Sequence, residues 1–344
     1  MSRFVAATLV LSCLALMGAG GCPFDPTVTT TGSQALFDEV WNTFDENYSY
    51  FTYKGIDWDD LWATYRPNFA TDLTADEFVD QLVPMLAELH DWHVEVTRAD
   101  GTGVGTHPGT VEENYPHTPR KLYTVGNADY NVLGDNVIYH AWFNNNLAYI
   151  RVDTLSTDTF ATVNDADIQT LFSTTYAAAD GMIIDIRPNN GGNENNAAKF
   201  AGHFTNASVV YGYTETRNGL DHDDFDPLAD KTLAPLAPHF SKPVVCLIGQ
   251  RCMSSAEWFT LMMRTCPNVT LIGDTTRGGS GSPEEFTLSN GVRYKVSRWI
   301  AYTDDSVEIE DNGIAPNIAI APGDTSFDAN HDYVIERAIQ ELTS

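Results

Sequence analysis

Two adjacent serines stand where an apolar run gives way to a helical pattern. Residues 242–250, KPVVCLIGQ, read as a buried strand, and residues 252–259, CMSSAEWF, open a helix with Ser254 and Ser255 at its start. A serine at a helix N-terminus is a favoured cap, because its hydroxyl accepts from a free backbone N–H. The same place concentrates partial positive charge and unpaired amides, which stabilise an alkoxide or oxyanion. The pair therefore reads either as a cap or as a nucleophile with its neighbour. A nucleophile needs a base, an oxyanion hole and a group that orients the base. No lysine follows the motif before Lys295, so LHDWHVEV (89–96), with His90 and His93, is the best source of a base. A second apolar run, IIDIRPNNGGN (183–193), ends in Gly191 and Gly192. Paired glycines let the backbone turn sharply and bring N–H groups close to a ligand. They suit an oxyanion hole, and equally a plain strand–helix turn.

These residues must be held by larger elements. SQALFDEVWNTFDENY (33–48) carries Phe37, Val40, Trp41 and Phe44 at helical spacing, with Ser33 as a cap. TADEFVDQLVPMLAELH (74–90) repeats the pattern: Thr74 and Glu77 form a capping box, Phe78, Leu82, Met85 and Leu86 line one face, and Pro84 invites a kink. HVEVTR then alternates like a strand. Residues 98–145 are rich in Gly, Asn, Pro and His, with two strand-like runs, RKLYTV and NVIYHAW. From LAYIRV onward strands alternate with helices: DADIQTLFSTTYAAA, GMIIDIR, NENNAAKFAGHF, PVVCLIG, SSAEWFTLMMRTC and VTLIG. Such alternation predicts an α/β fold whose sheet is largely parallel and buried. EEFTLSNGVRYKVSRWIAY predicts a hairpin turning at Asn290-Gly291, and a last helix is expected at about 331–342. In open α/β sheets ligands bind at the carboxyl ends of the strands, where both serines and both glycines fall.

Forty-seven acidic residues against nineteen basic ones give a net charge of −28, a surface that repels phosphate backbones and excludes nucleic acid as a partner. The acidic loop LDHDDFDPLAD (220–230) lacks the spacing and glycine of a calcium loop and reads as solvated, so no metal is expected. Residues 1–22 have Arg3, an apolar stretch from Phe4 to Met17, then small residues, the pattern of a secretory signal. Cys22 after Ala19-Gly20-Gly21 resembles a bacterial lipobox, although Ala19 stands where leucine is usual. The expectation is export to the cell envelope, with lipid on Cys22 and a Pro/Thr-rich tether over 23–32. Of the later cysteines, Cys252 and Cys266 lie at opposite ends of the serine helix, roughly 20 Å apart at about 1.5 Å per residue, too far to bridge. Cys246 and Cys266 are the better-placed pair, and buried free thiols are the expected state.

LAYIRV, GMIIDIRPNNGG, KPVVCLIGQRCMSSAEWF, LIGDTTRGG and VEIEDNGIAPNIAI occur in an order and spacing that resembles the tail-specific (C-terminal processing) serine peptidases. The resemblance covers roughly 36–97 and 146–322. It implies a ClpP/crotonase-like α/β core with a small N-terminal helical domain. The expected segments are a helical domain at 33–97, a connecting β/loop region at 98–145, a peptidase core at 146–325 and a C-terminal helix at 326–344. By motif position it makes Ser254 the nucleophile, three residues before Glu257, with the amides of Ser255 and of Gly191 or Gly192 as the oxyanion hole. Gly279 occupies the place of the lysine in members with a Ser–Lys dyad, and 98–145 is too short for a PDZ domain. The chain is thus similar to the tricorn-core-like branch, which implies His93 as base and Glu310 as its support. That branch has a relay serine where this chain has Trp92, so either Asp91 or Glu310 is left to orient His93. The implied activity is endopeptidase action on peptides or proteins through an acyl-enzyme, with no cofactor. The rival is a non-catalytic lipoprotein that binds an apolar ligand or peptide in the same cleft, since a fold alone proves no activity.

Overall fold

The computed structural model describes residues 32–321 and 326–344; the signal segment, Cys22 and all of the tether but Gly32 lie outside them. Its centre is a seven-stranded sheet. In spatial order the strands are Ile318–Ala319, Val269–Gly273, Val244–Ile248, Gly181–Asp185, Leu147–Val152, Ile138–Phe143 and Asn131–Leu133. The first five run parallel and the last two are antiparallel. Every residue of Leu147–Val152, Gly181–Asp185 and Val244–Ile248 is buried, which is why these strands read as unbroken apolar runs. One face packs Phe200, Trp258, Phe259 and Met263 from the intervening helices. The other packs Val334, Ile335 and Ala338 of the last helix, Tyr333–Thr343.

The helices Gly32–Asn47, Trp58–Tyr65 and Ala75–Ala87 form a second core. The Thr74–Glu77 capping box is present, and the helix runs through Pro84. The hairpin strands Pro283–Thr287 and Arg293–Ser297 join this unit, with Tyr294 and Val296 packed against Phe44 and its neighbours. They pair with Glu95–Thr97 and Gly103–Gly105 in an antiparallel sheet. The second half of the expected hairpin continues as a separate strand, Trp299–Thr303, in a third sheet with Val209–Thr216 and Ala229–Leu233, two strands with no counterpart among the expected elements. RKLYTV is not a strand: Lys121–Tyr123 and Val125–Asn127 form short 3₁₀ turns. Tyr123 is anchored through its hydroxyl to Glu336 at 3.0 Å and Thr124 is buried with its hydroxyl on the Ala128 carbonyl at 2.8 Å, while Leu122 and Val125 face solvent. Cys246, Cys252 and Cys266 are buried free thiols.

A buried ion cluster ties the last helix to the sheet. Arg187, just past Gly181–Asp185, donates to Asp185 at 2.7 and 2.9 Å, to Asp332 at 3.0 Å twice, and to the Asn114 carbonyl at 2.8 Å. Tyr149 donates to the same Asp185 at 2.8 Å. Burial pushes the Asp185 carboxyl up, but Arg187 overrides it and holds the group below its ordinary value. Its contribution to stability is therefore full above the ordinary carboxylate value and is lost as pH falls from there through the lowered folded value. Removing one partner of such a cluster leaves buried charge unpaired. Arg187→Met should cost about 3–5 kcal/mol in a urea titration; a loss below about 1 kcal/mol would show that the cluster is not holding the helix.

Candidate active site

Three neighbouring parallel strands, Gly181–Asp185, Val244–Ile248 and Val269–Gly273, send their carboxyl-end loops to one edge of the sheet. That adjacency gathers Asn189–Gly192, Ser254 and Thr276–Gly279 in one place. The helix Ser255–Arg264 begins directly after Ser254. Ser254 has φ 57° and ψ −126°, whereas the true caps Thr74 (φ −63°, ψ 161°) and Asp57 (φ −85°, ψ 97°) are extended. A non-glycine residue held at positive φ costs of order 1–3 kcal/mol, and such strain gathers at functional sites. Here it is held by the Ser254 N–H, which donates to the Gly279 carbonyl at 2.8 Å and to Glu257 Oε2 at 3.1 Å.

Glu257 has a role that motif position did not disclose. Fully buried, it also accepts from Thr276 Oγ1 at 2.7 Å, Gly278 N at 2.7 Å and Gly279 N at 3.1 Å. Burial raises its carboxyl to about 7, while these donors pull the other way. The side chain thus sews the Thr276–Gly279 loop to the start of the serine helix. The only signal in the sequence was its position three residues after Ser254.

Gly191 and Gly192 meet the serines from the neighbouring strand end. Both have positive φ, 103° and 134°. A Cβ at Gly191 would lie 2.6 Å from the Met253 carbonyl and 2.9 Å from Ser254 Cβ; one at Gly192 would lie 2.2 Å from the Leu155 backbone. No side chain fits at either position. Ser255 Oγ donates to the Gly192 carbonyl at 2.6 Å, and the Gly191 N–H donates to Asn189 Oδ1 at 2.8 Å. The Gly191 amide is therefore already engaged.

His93 reaches the cleft from the other unit, in the turn between Ala75–Ala87 and Glu95–Thr97. Its backbone N–H donates to Asp91 Oδ1 at 2.7 Å. Burial lowers the imidazole below its ordinary value, with Asp91 opposing, so the neutral ring is favoured. His93, Ser254, Ser255 and Gly192 line a common cleft of about 590 Å³. His90 does not line it. Lys295 does, with its ammonium held by Glu95 at 2.7 Å.

Glu310 is fully buried and accepts from Ser280 N at 3.0 Å, with Lys54 Nζ 3.4 Å from Oε1. Burial first, then Asp91, pushes its carboxyl well above the usual range; Lys54 opposes them. Among the described residues no hydrogen bond joins His93 Nδ1 to Glu310 or to Asp91 Oδ2, and all three atoms are buried. Asp91 is therefore tied to His93 through the backbone, and Glu310 reaches that neighbourhood electrostatically.

Trp92, where a relay serine is usual, does something else. Its ring stacks on His107 at 3.7 Å and carries the Arg277 guanidinium at 4.8 Å. Arg277 in turn donates to the Gln250 and Cys252 carbonyls at 3.1 and 2.9 Å. Stacking of this kind clamps the histidine turn to the serine loops. A Cβ at Gly279 would lie 3.0 Å from Met253 Cγ and 3.2 Å from Trp92 Cβ, so the space for a lysine there is already filled. Among the described residues no group of His, Cys, Asp and Glu is placed to hold a metal.

Fold and site together define a serine-type peptidase class, and the comparisons say which. The model of Peptidase family S41 matches residues 146–320, and that of the tricorn protease C1 domain matches 33–87. The chain belongs to peptidase family S41. It is 26% identical over 200 residues to the carboxy-terminal processing protease CtpA of Bacillus subtilis, covering 56% of this chain and 40% of that protein. A peptidase structure from Parabacteroides merdae matches with a TM-score of 0.76 at 26% identity, over 92% of this chain and 98% of that one. The photosystem II D1 C-terminal processing protease shares the fold, with a TM-score of 0.54 at 16% identity over 92% and 98% of the two chains.

Proposed function

We propose that this chain hydrolyses peptide bonds through a serine acyl-enzyme. Neutral His93 takes the Ser254 proton as Oγ attacks the substrate carbonyl. The amides of Ser255 and Gly192 hold the oxyanion, since the Gly191 amide is engaged by Asn189. The resulting imidazolium gives its proton to the leaving amine, whose C–N bond breaks. His93 then takes a proton from water, whose oxygen attacks the acyl-enzyme, and Ser254 leaves with that proton. Asp91, and Glu95 after it, favour the imidazolium by their charge. The observation that carries this reading is Ser254 itself, a non-glycine residue pinned at positive φ in the cleft that His93 also lines.

The test is a fluorophosphonate probe followed by peptide mapping. Labelling is expected at Ser254; a protein that stays unlabelled while binding peptides would be a binding module. We also place the mature protein at the cell envelope with lipid on Cys22, a reading supported by the apolar segment before it. Intact-mass measurement should show an acylated N-terminal Cys22, and cleavage elsewhere without acyl mass would remove the anchor.

A further inference from the structure

We infer that the cleft beside Ser254 is a subsite for a large apolar side chain, aromatic above all, on the acyl side of the scissile bond. The inference rests on the peptidase reading and adds the substrate class. Trp258, in the first turn of the helix that follows Ser254, is packed in the core and presents only a small part of its ring to the cleft. Trp299 meets it edge to face, with centroids 6.1 Å apart and planes at 89°. Both rings line the cleft, together with Met253 and Pro283.

The two indoles are rigid. Trp299 Nε1 donates to the Ser280 carbonyl at 2.5 Å, and Tyr211 meets the Trp258 ring at 5.9 Å. A Cβ at Gly212 would come within 2.9 Å of Trp258, so that backbone presses on the ring from outside the cleft. Fixed aromatic walls receive an aromatic side chain in edge or offset geometry without paying to order themselves.

Most of the charge around the cleft is paired within the protein. Lys231 Nζ lies over Trp258 at 5.3 Å and over Trp299 at 4.9 Å, and is neutralised by Glu194 at 2.5 Å. Glu95 and Lys295 neutralise each other at 2.7 Å. A basic substrate side chain would have to share Glu194 with Lys231, which holds Oε1 while Oε2 has no hydrogen-bond partner among the described residues. An acidic one would face Glu95, Glu194 and a chain of net charge −28. Trp258, Trp299, Met253 and Pro283 are the apolar part of a lining that also carries polar side chains such as Asn190 and Asn193.

The experiment measures binding and turnover separately. A peptide set varied only at the residue before the scissile bond is titrated against full-length Ser254→Ala protein and assayed for hydrolysis by the wild type. Phe, Tyr and Leu peptides should bind roughly tenfold or more tighter than Ala, Lys or Asp peptides, and the kcat/KM spread should reach about 100-fold. Trp299→Leu should flatten both preferences. Lys231→Met, which frees Glu194, should shift selectivity toward Lys and Arg by roughly tenfold. A preference for small or charged residues in wild type, or one indifferent to both substitutions, overturns the subsite. Aromatic-selective binding without Ser254-dependent hydrolysis would instead uphold the subsite and end the peptidase reading.

Discussion

Ser254→Ala is expected to abolish peptide hydrolysis while leaving the fold in place. Loss of an acyl-enzyme nucleophile costs roughly 10⁴-fold or more in kcat. The structural cost is small by comparison, because loss of a cap is worth about 1 kcal/mol. Alanine also keeps the Cβ that Gly191 packs against and the N–H that Glu257 and Gly279 hold. Far-ultraviolet circular dichroism and the melting temperature should therefore match wild type. Ser255→Ala provides the contrast. It removes the 2.6 Å bond to the Gly192 carbonyl and loosens one wall of the oxyanion hole, yet leaves its own backbone N–H in place. Activity in that variant should fall but stay measurable. An inactive Ser255→Ala beside a fully active Ser254→Ala would shift the nucleophile by one residue.

His93→Ala should be nearly as damaging, and its signature lies in the pH profile. A base must be neutral to accept the serine proton, so kcat/KM rises with pH through the pKa of that base. An unperturbed histidine titrates near ~6.5. Burial lowers His93 below that value, with Asp91 opposing, so the acid limb should be centred below ~6.5 and activity should be level at neutral pH. The same depression makes the stability contribution of His93 full above the ordinary histidine value and lost as pH falls through the folded one. His93→Ala should cost about 10⁴-fold and abolish the limb. Lys295→Met tests the competing base in the cleft, and the limb should survive it, as it should in the distant Lys242→Met. A limb that vanishes with Lys295 while His93→Ala keeps turning over would move the base to the lysine.

Features that depend on near neighbours are legible in the order of the residues. The runs LAYIRV, GMIID and VVCLI announce buried parallel strands, because a strand covered on both faces is nearly continuously apolar, with Arg151 and Asp185 as the buried charged exceptions. The Thr74–Glu77 box was legible because its bonds span three residues. The motif order carried the family, later shown by the match over 146–320. Ser254 could be named as the candidate nucleophile, but its positive φ could not be read, since the bonds that hold it come from Gly279 and Glu257.

The remaining features depend on long-range packing. Periodicity reports that a strand has an apolar face and not which partner covers it. The hairpin 283–297 could equally have extended the main sheet; it packs with Phe44 and the N-terminal helices instead. The three donors that reach Glu257 from Thr276, Gly278 and Gly279, and the Arg187–Asp332 pair, 145 residues apart, leave no local pattern to read. Trp92 looked like the loss of a relay group until Arg277 and His107 were seen stacked on it. Composition supplied those side chains, and the distances that give them their roles came from long-range packing.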